Sequence, residues 1–307
     1  MRVWLPWDRP AEFLGELPAG VKVDVFRSGL DLPDSLTEVE FYVPDYMAID
    51  SRVIGVIRAM PSVRVVQTQT AGYENFLPYV PDDVTLCNAH GVHDTSTAEL
   101  AMTLILASYR RIPSAVRAQD RGEWISYETF DDSLADRTVL IVGYGSIGQT
   151  LESRLTPFEC DVLRVARRER PGVAPVERLP ELLPRADVVV LLTPATPETI
   201  GLVDAGFLGR MRDGALLVNV SRGPIVDTDA LLAELRSGRL RAALDVTDPE
   251  PLPNGHPLWT APNVLITPHR GGASTAFPAR IARVVRQQLA RYAAGEPLRN
   301  VVAGPAR

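Results

Sequence analysis

Arg222, Glu250 and His269 each stand a few residues beyond a short apolar run, and their types could share one piece of chemistry. The first lies in Val218-Asn-Val-Ser-Arg222-Gly223-Pro-Ile-Val-Asp227, where a strand-like run ends and an arginine meets a glycine turn. The second lies in Ala243-Leu-Asp245-Val-Thr-Asp-Pro-Glu250-Pro-Leu, and the third in Pro262-Asn-Val-Leu-Ile-Thr-Pro-His269-Arg-Gly271-Gly272. Reduction of a 2-oxo acid needs a cation for the carboxylate and ketone, and the planar fork of Arg222 suits two oxygens at once. It needs a proton donor for the developing alkoxide, and the ordinary pKa of histidine places His269 nearest the working pH. It also needs a carboxylate to keep that donor protonated, the role open to Glu250. Asp245 could accept from the carboxamide of a nicotinamide. Taken singly, the arginine reads as a surface ion-pair partner, the histidine as a loop hydrogen-bonder and the glutamate as a solvated acid; their joint occurrence is what carries weight.

A hydride source is written upstream. Gly143-Tyr-Gly145-Ser146-Ile147-Gly148 is a GxGxxG that directly follows the strand-like Thr138–Val142 and opens a helix-like stretch. In that context Gly143 permits the tight turn, Gly145 admits a pyrophosphate against the backbone, and Gly148 lets helix and strand pack closely. The helix start offers free N–H groups, those of Ser146 and Ile147 among them, and a favourable dipole. About 20 residues further on, an Asp or Glu normally accepts the ribose hydroxyls of NAD. Here Val162-Leu-Arg-Val165 ends in Ala166-Arg167-Arg168, so two guanidinium groups stand where an acid is expected. Arginines pair with a 2′-phosphate that a carboxylate would repel, which predicts NADP(H), with NAD possible if Asp161 or Glu169 is the true ribose acid.

The elements that must position these groups alternate in βαβ fashion. Strands are expected at 138–142, 161–166, 187–192, 215–220 and 240–246, with helices near 146–156, 177–184, 204–210 and 227–237. Five such strands make a doubly wound parallel sheet. The first ~90 residues repeat the alternation on a smaller scale, with strands at Val3–Leu5, Val21–Phe26, Glu40–Val43 and Val63–Gln67 and a helix near Ile49–Met60. Residues 94–110 read as a long helix, apolar on nearly every side and so buried. A last helix follows residue 275 and runs to about 294, then an apolar tail.

Composition narrows the partners. The 307 residues carry 46% hydrophobic and 23% charged residues and a formal charge of −6, close to the globular average and poor ground for nucleic-acid binding. No apolar run reaches membrane-span length and no export signal opens the chain. Cys87 and Cys160 have neither disulfide nor metal-ligand spacing, which suits a reducing cytoplasm. Lys22 is the single lysine, in a strand-like stretch, so Schiff-base chemistry has no good candidate.

From about residue 60 to 275 the chain resembles the D-isomer-specific 2-hydroxyacid dehydrogenases. The carriers are the fingerprint 143–148, Asn219-Val-Ser-Arg-Gly-Pro-Ile-Val-Asp227, Asp245-Val-Thr-Asp-Pro-Glu-Pro-Leu252 and Asn263-Val-Leu-Ile-Thr-Pro-His-Arg-Gly-Gly272, in family order and spacing. The resemblance implies that Arg222, Glu250 and His269 are catalytic, that Asp245 binds the carboxamide, and that Thr193 and Pro194 line the cofactor. It implies that Ala71-Gly72-Tyr73-Glu74-Asn75 is a substrate loop holding a carboxylate on backbone N–H groups, with Tyr73-Glu74 in place of the usual small apolar and acidic pair. Leu191-Leu-Thr193-Pro194 lacks the histidine many relatives carry, and His90 and His93 are extra histidines, read mainly as structural. The implied architecture is a Rossmann-type cofactor domain, residues 91–274, inserted into a smaller flavodoxin-like α/β substrate domain made of 1–90 and 275–307. Family members are commonly homodimers, for which the Thr97–Ser108 helix and the arm after it are the candidate contact. The function implied is hydride transfer between NADP(H) and a small 2-oxo or 2-hydroxy acid such as glyoxylate or hydroxypyruvate. A 3-phosphoglycerate-type NAD dehydrogenase and a dinucleotide-sensing, corepressor-like protein are the alternatives.

Overall fold

The computed structural model describes residues 1–47, 51–126 and 130–305. The chain divides into two compact units, Met1–His93 with Thr275–Arg307, and Asp94–Ser274.

The first unit begins with β1 (Arg2–Leu5), α1 (Pro10–Leu14), β2 (Lys22–Val25), β3 (Val39–Tyr42), α2 (Ser51–Gly55), β4 (Val65–Gln67) and β5 (Thr85–Cys87). Ile49 and Asp50, where a helix was expected to begin, lie outside the described residues; past Gly55 that helix tightens into a 3₁₀ turn, Val56–Ala59. The second unit runs α3 (Asp94–Tyr109), α4 (Ile112–Asp120), β6 (Thr138–Val142), α5 (Ser146–Leu155), β7 (Asp161–Ala166), β8 (Ala174–Pro175), α6 (Leu179–Leu182), β9 (Val188–Leu191), α7 (Ala205–Arg210), β10 (Leu216–Asn219), α8 (Thr228–Arg236), β11 (Arg241–Leu244) and β12 (Val264–Ile266). The chain then returns to the first unit as α9 (Phe277–Ala293) and β13 (Val301–Ala303).

Within the second unit the strand order is β12-β11-β10-β9-β6-β7-β8, all parallel, with the order reversing beside β6. This is the doubly wound arrangement that places a ligand at the carboxyl edge near β6. Period-two alternation sends Leu140, Val142, Val189, Leu191 and Leu217 to one core and Val139, Ile141, Val188, Val190, Leu216 and Val218 to the other. Both faces are covered, so the strands read as unbroken apolar runs, each such side chain contributing about 1.5–3 kcal/mol by leaving water. α7 and α8 start on aspartate caps, Asp204 accepting from Phe207 N–H at 2.8 Å and Asp227 from Ala230 N–H at 3.0 Å.

In the first unit the order is β13-β5-β4-β3-β1-β2, the parallel five running as in flavodoxin and β13 closing the edge antiparallel. Val3, Leu5, Phe41 and Val65 pack with Ile281, Val285 and Leu289 of α9, while Trp4, Tyr42, Val66 and Leu86 form the core of the opposite face. No helix among the described residues is long and apolar enough to cross a membrane.

Candidate active site

The fingerprint occupies the turn from β6 to α5. Gly143 has φ 104°, and a Cβ there would lie 2.5 Å from the Leu192 carbonyl carbon, so the turn is pressed onto the end of β9 and only glycine fits. A Cβ on Gly148 would meet Gly143 O at 3.0 Å and Ile141 Cγ2 at 3.3 Å, the close helix-to-strand approach. Gly145 is different: a Cβ there meets nothing within 4 Å, which leaves an open cradle in front of the first turn of α5. That turn, from Ser146, has N–H groups with no carbonyl four residues back to serve them. Ser146 Oγ donates to Asp94 Oδ1 at 3.2 Å. Just past β9, the buried Thr193 Oγ1 has no hydrogen-bond partner, and Pro194 O is held by Thr199 Oγ1 at 2.6 Å. An open glycine cradle, unserved amides and an orphaned hydroxyl at one sheet edge fit a dinucleotide.

Strand register orders the charged groups along β7. Val142 pairs with Val165 and Thr138 with Asp161, so Asp161 lies at the opposite end of β7 from the fingerprint. Ala166 closes the strand, and Arg167, Arg168 and Glu169 are exposed beyond it. Among the described residues neither arginine forms an ion pair with a carboxylate, although the Arg167 charge helps to hold the Glu198 carboxyl below its usual range, after the Thr196 hydrogen bond and a backbone N–H. A third arginine, missed in the sequence, belongs to this cluster. Arg170 lies over the Tyr144 ring at 5.6 Å and donates to the Tyr144 carbonyl, inside the fingerprint itself. Tyr144 is braced in turn: its hydroxyl donates to Glu152, which Arg164 grips with two N–H groups. The Arg164 hydrogen bonds hold the Glu152 carboxyl low, and burial together with Glu152 pushes the Tyr144 hydroxyl up.

Arg222, Glu250 and His269 lie beyond the carboxyl ends of β10, β11 and β12, three adjacent strands. His269 Nδ1 is hydrogen-bonded to Glu250 Oε1, both side chains about a third exposed. With Nδ1–H given to the carboxylate, Nε2 is the ring atom left to meet a substrate oxygen. His269 adopts φ 51°, a left-handed conformation uncommon outside glycine. Its neighbour across the edge, Asp245, explains how that turn is held. Asp245 is 2% exposed; Oδ1 accepts from Thr267 Oγ1 at 2.6 Å and Arg270 N–H at 2.7 Å, Oδ2 from Gly271 N–H at 2.8 Å, and its carbonyl from His269 N–H at 2.8 Å. A carboxylate has about four acceptor positions; three are taken by the chain itself, so at most one remains for a carboxamide. Asp245 is first the clamp of the His269 turn, a role its position in the sequence did not reveal.

Arg222 follows β10, with Nη1 donating to Ser221 O at 2.6 Å. Gly223 behind it packs so closely on the Thr247 carbonyl that a Cβ would overlap it. The ends of β10 and β11 are thereby pressed together, backbone on backbone.

In the first unit the loop after β4 is fastened from behind. Thr70 O accepts from Thr68 Oγ1 at 3.0 Å and Ala89 N–H at 2.9 Å, Ala71 O from Asn88 Nδ2 at 2.7 Å, and Gly72 O from Thr70 Oγ1 at 2.6 Å. Tyr73 N–H donates to Glu74 Oε2 at 2.9 Å, and the Tyr73 ring packs on the Trp4–Tyr42 core. The bulk that departs from the family pattern is therefore absorbed by the core. His93 is buried, stacked on Phe277 at 5.3 Å and hydrogen-bonded to Gln69 O at 2.9 Å, whereas His90 is exposed.

A dinucleotide cradle, a histidine–carboxylate pair and an arginine at one sheet edge define a nicotinamide-dependent oxidoreductase. Residues 102–271 match the family described as D-isomer specific 2-hydroxyacid dehydrogenase, NAD binding domain, and the chain belongs to this family of NAD(P)-dependent dehydrogenases. Human glyoxylate reductase/hydroxypyruvate reductase is 34% identical over 271 residues, 81% of this chain and 79% of its own. D-3-phosphoglycerate dehydrogenase of Archaeoglobus fulgidus is 31% identical over 293 residues, 92% of this chain but 55% of its own length. The crystal structure of a D-isomer specific 2-hydroxyacid dehydrogenase from Xanthobacter autotrophicus Py2, in complex with NADPH and MES, matches with a TM-score of 0.83 at 30% identity over 98% of each chain.

Proposed function

We propose that this chain reduces a short 2-oxo acid of the glyoxylate or hydroxypyruvate kind to its 2-hydroxy acid, using NADPH. The observation that carries the reaction is the His269 Nδ1–Glu250 hydrogen bond at the edge that also bears Arg222. Arg222 binds the carboxylate and the ketone oxygen and stabilises charge developing on that oxygen. His269 delivers a proton from Nε2 to the same oxygen, and Glu250 balances the imidazolium charge and fixes the ring. NADPH, when bound, supplies the hydride. Gly145, Ser146, Ile147 and Gly148 would hold its pyrophosphate, Thr193 and Pro194 would lie by the nicotinamide, and one remaining acceptor position of Asp245 would serve the carboxamide. Ala71 and Gly72 would bring backbone N–H groups for the carboxylate on a loop whose carbonyls are already taken, whereas the Tyr73 N–H is held by Glu74 Oε2.

Arg167 and Arg168, with Arg170 beyond them, support NADPH over NADH, since β7 closes on Ala166 and the first two residues past it are arginines, with Glu169 only third. The human reductase adds to the choice of substrate class. The 3-phosphoglycerate reading keeps support from the Archaeoglobus relative but sits poorly with the missing ribose acid. Dimerisation through α3 and the arm after it is supported by the exposed apolar side chains that follow α3 along the chain, Ile112, Val116, Trp124, Ile125 and Phe130. Two unpaired cysteines suit a cytoplasmic location.

The test is steady-state oxidation of NADPH and NADH in parallel against glyoxylate, hydroxypyruvate, pyruvate and phenylpyruvate. NADPH-favouring turnover of the two shortest polar substrates is expected. Turnover with NADH alone would remove the arginine reading, and tight NADPH binding without turnover of any substrate would point to a sensor.

A further inference from the structure

We infer that Asn219, buried at the end of β10, is a positioning residue that sets the grip of Arg222 on the 2-oxo acid; this rests on the assignment of Arg222 above. Asn219 is 1% exposed, yet its side chain spends its polar atoms on two residues just after it, Ser221 and Arg222. Oδ1 accepts from Ser221 N–H at 3.1 Å and from Ser221 Oγ at 2.8 Å, while Nδ2 donates to the Arg222 carbonyl at 2.9 Å. Its own carbonyl accepts from Asp245 N–H at 2.9 Å, which ties the turn to the neighbouring strand. The amide thus folds residues 219–222 into an Asx-type turn, reading both a donor and an acceptor of the same short segment. Aspartate would set a second acceptor against the Arg222 carbonyl, and alanine would leave the Ser221 and Arg222 backbone groups without these partners.

The turn can transmit position because it cannot slide. Gly223 lies against the Thr247 carbonyl with no room for a Cβ, so the backbone is fixed immediately after Arg222 as well as before it. Between these anchors the guanidinium folds back onto Ser221 O at 2.6 Å, onto the residue that Asn219 holds by two bonds. Asp245 does the same for His269 one strand away, through Arg270 and Gly271 N–H groups. Two successive strand ends therefore carry a buried amide and a buried carboxylate, each shaping the turn that presents one proposed catalytic side chain.

The experiment is a double-mutant cycle on the full-length protein with Asn219→Asp and Arg222→Lys, using NADPH and the best 2-oxo acid. Misplacing a reacting group by about 1 Å costs about 100-fold in rate, so N219D should lower kcat/KM for the 2-oxo acid by tens of fold or more, through kcat and substrate KM together. The NADPH dissociation constant, read by fluorescence, should change by less than about threefold, since the glycine turn and the arginines past β7 are untouched and the backbone bond from Asp245 N–H to Asn219 O does not involve the side chain. In the R222K background the N219D loss should largely vanish, because Asn219 acts through the fork that lysine lacks. An equal loss in both backgrounds, or wild-type kinetics in N219D, overturns the inference. Wild-type turnover in R222K overturns the Arg222 assignment itself and the inference with it. If N219D does not fold, Ser221→Ala removes one bond of the same turn; a several-fold rise in substrate KM with unchanged NADPH binding is expected, and unchanged kinetics would refute the positioning role.

Discussion

At the scale of single residues, buried polar groups shape the turns that carry the proposed catalytic side chains. Asp245 takes three donors from the turn that presents His269. Bonds to a charged acceptor are worth about 1.5–3 kcal/mol each, and a buried donor left unmet costs about 1–3 kcal/mol. Asp245→Asn turns an NH₂ toward either Arg270 or Gly271 N–H, so thermal denaturation should show a loss of about 2 kcal/mol together with reduced kcat. Unchanged melting and kinetics would mean that the clamp is dispensable. Gly223→Ala places a methyl onto the Thr247 carbonyl; overpacking against backbone costs about 1–3 kcal/mol or more, and a melting scan should register it even in the absence of substrate. His269→Ala should lower turnover by about 10²–10⁴-fold, the usual worth of a general acid, with NADPH binding retained. Arg222→Lys should lose most activity, because a point charge cannot copy a bidentate fork.

At the scale of elements, the β6–α5–β7 unit predicts cofactor choice. Replacing Arg167 and Arg168 together by serine should raise the KM for NADPH by about 10–100-fold, the range of one or two lost charge-assisted bonds, while leaving that for NADH nearly unchanged. Equal effects on both cofactors would place the arginines outside the 2′-phosphate site. This unit was legible in the sequence because β6 is buried on both faces and its glycines have individual steric reasons. Other elements were not. The helix expected at 177–184 is broken into 3₁₀ turns around the four-residue α6, with Pro180 and Pro184 each opening a new turn instead of continuing one. β5, β12 and β13 are three residues long and β8 only two, so no period can be read from them; their pairing partners define them. α4 restarts straight after the Arg111 break, because Pro113 is acceptable in a first helical turn. Within the site, Arg222, Glu250 and His269 were readable because their chemistry is rare at strand ends. Asn219 and Arg170 were not, since an asparagine and a third arginine in a basic loop gain meaning only from the carbonyls they meet.

At the scale of the whole molecule, ligand and partner should both be visible in bulk measurements. NADPH at about 100 times its dissociation constant should add about 2.7 kcal/mol of stability, read as a rise in melting temperature that NADH at equal concentration does not match. Trp124 is 91% and Phe130 100% exposed. Serine at both positions should shift the mass measured by light scattering from dimer to monomer if the arm carries the contact; an unchanged mass would move the interface elsewhere.

The two units also differ in how they are made. Asp94–Ser274 is one uninterrupted stretch, whereas the first unit is finished only by α9 and β13, after that stretch has been read. Ile281, Val285 and Leu289 of α9 cover Val3, Leu5, Phe41 and Val65. At about 5–20 residues per second, these apolar side chains emerge from the ribosome roughly 10–60 s before their cover does. The dinucleotide-binding half can thus complete its fold during translation, while the leading half waits with one face of its sheet bare. That interval is when a holding chaperone matters to this chain, and slow codons after Ser274 would lengthen it.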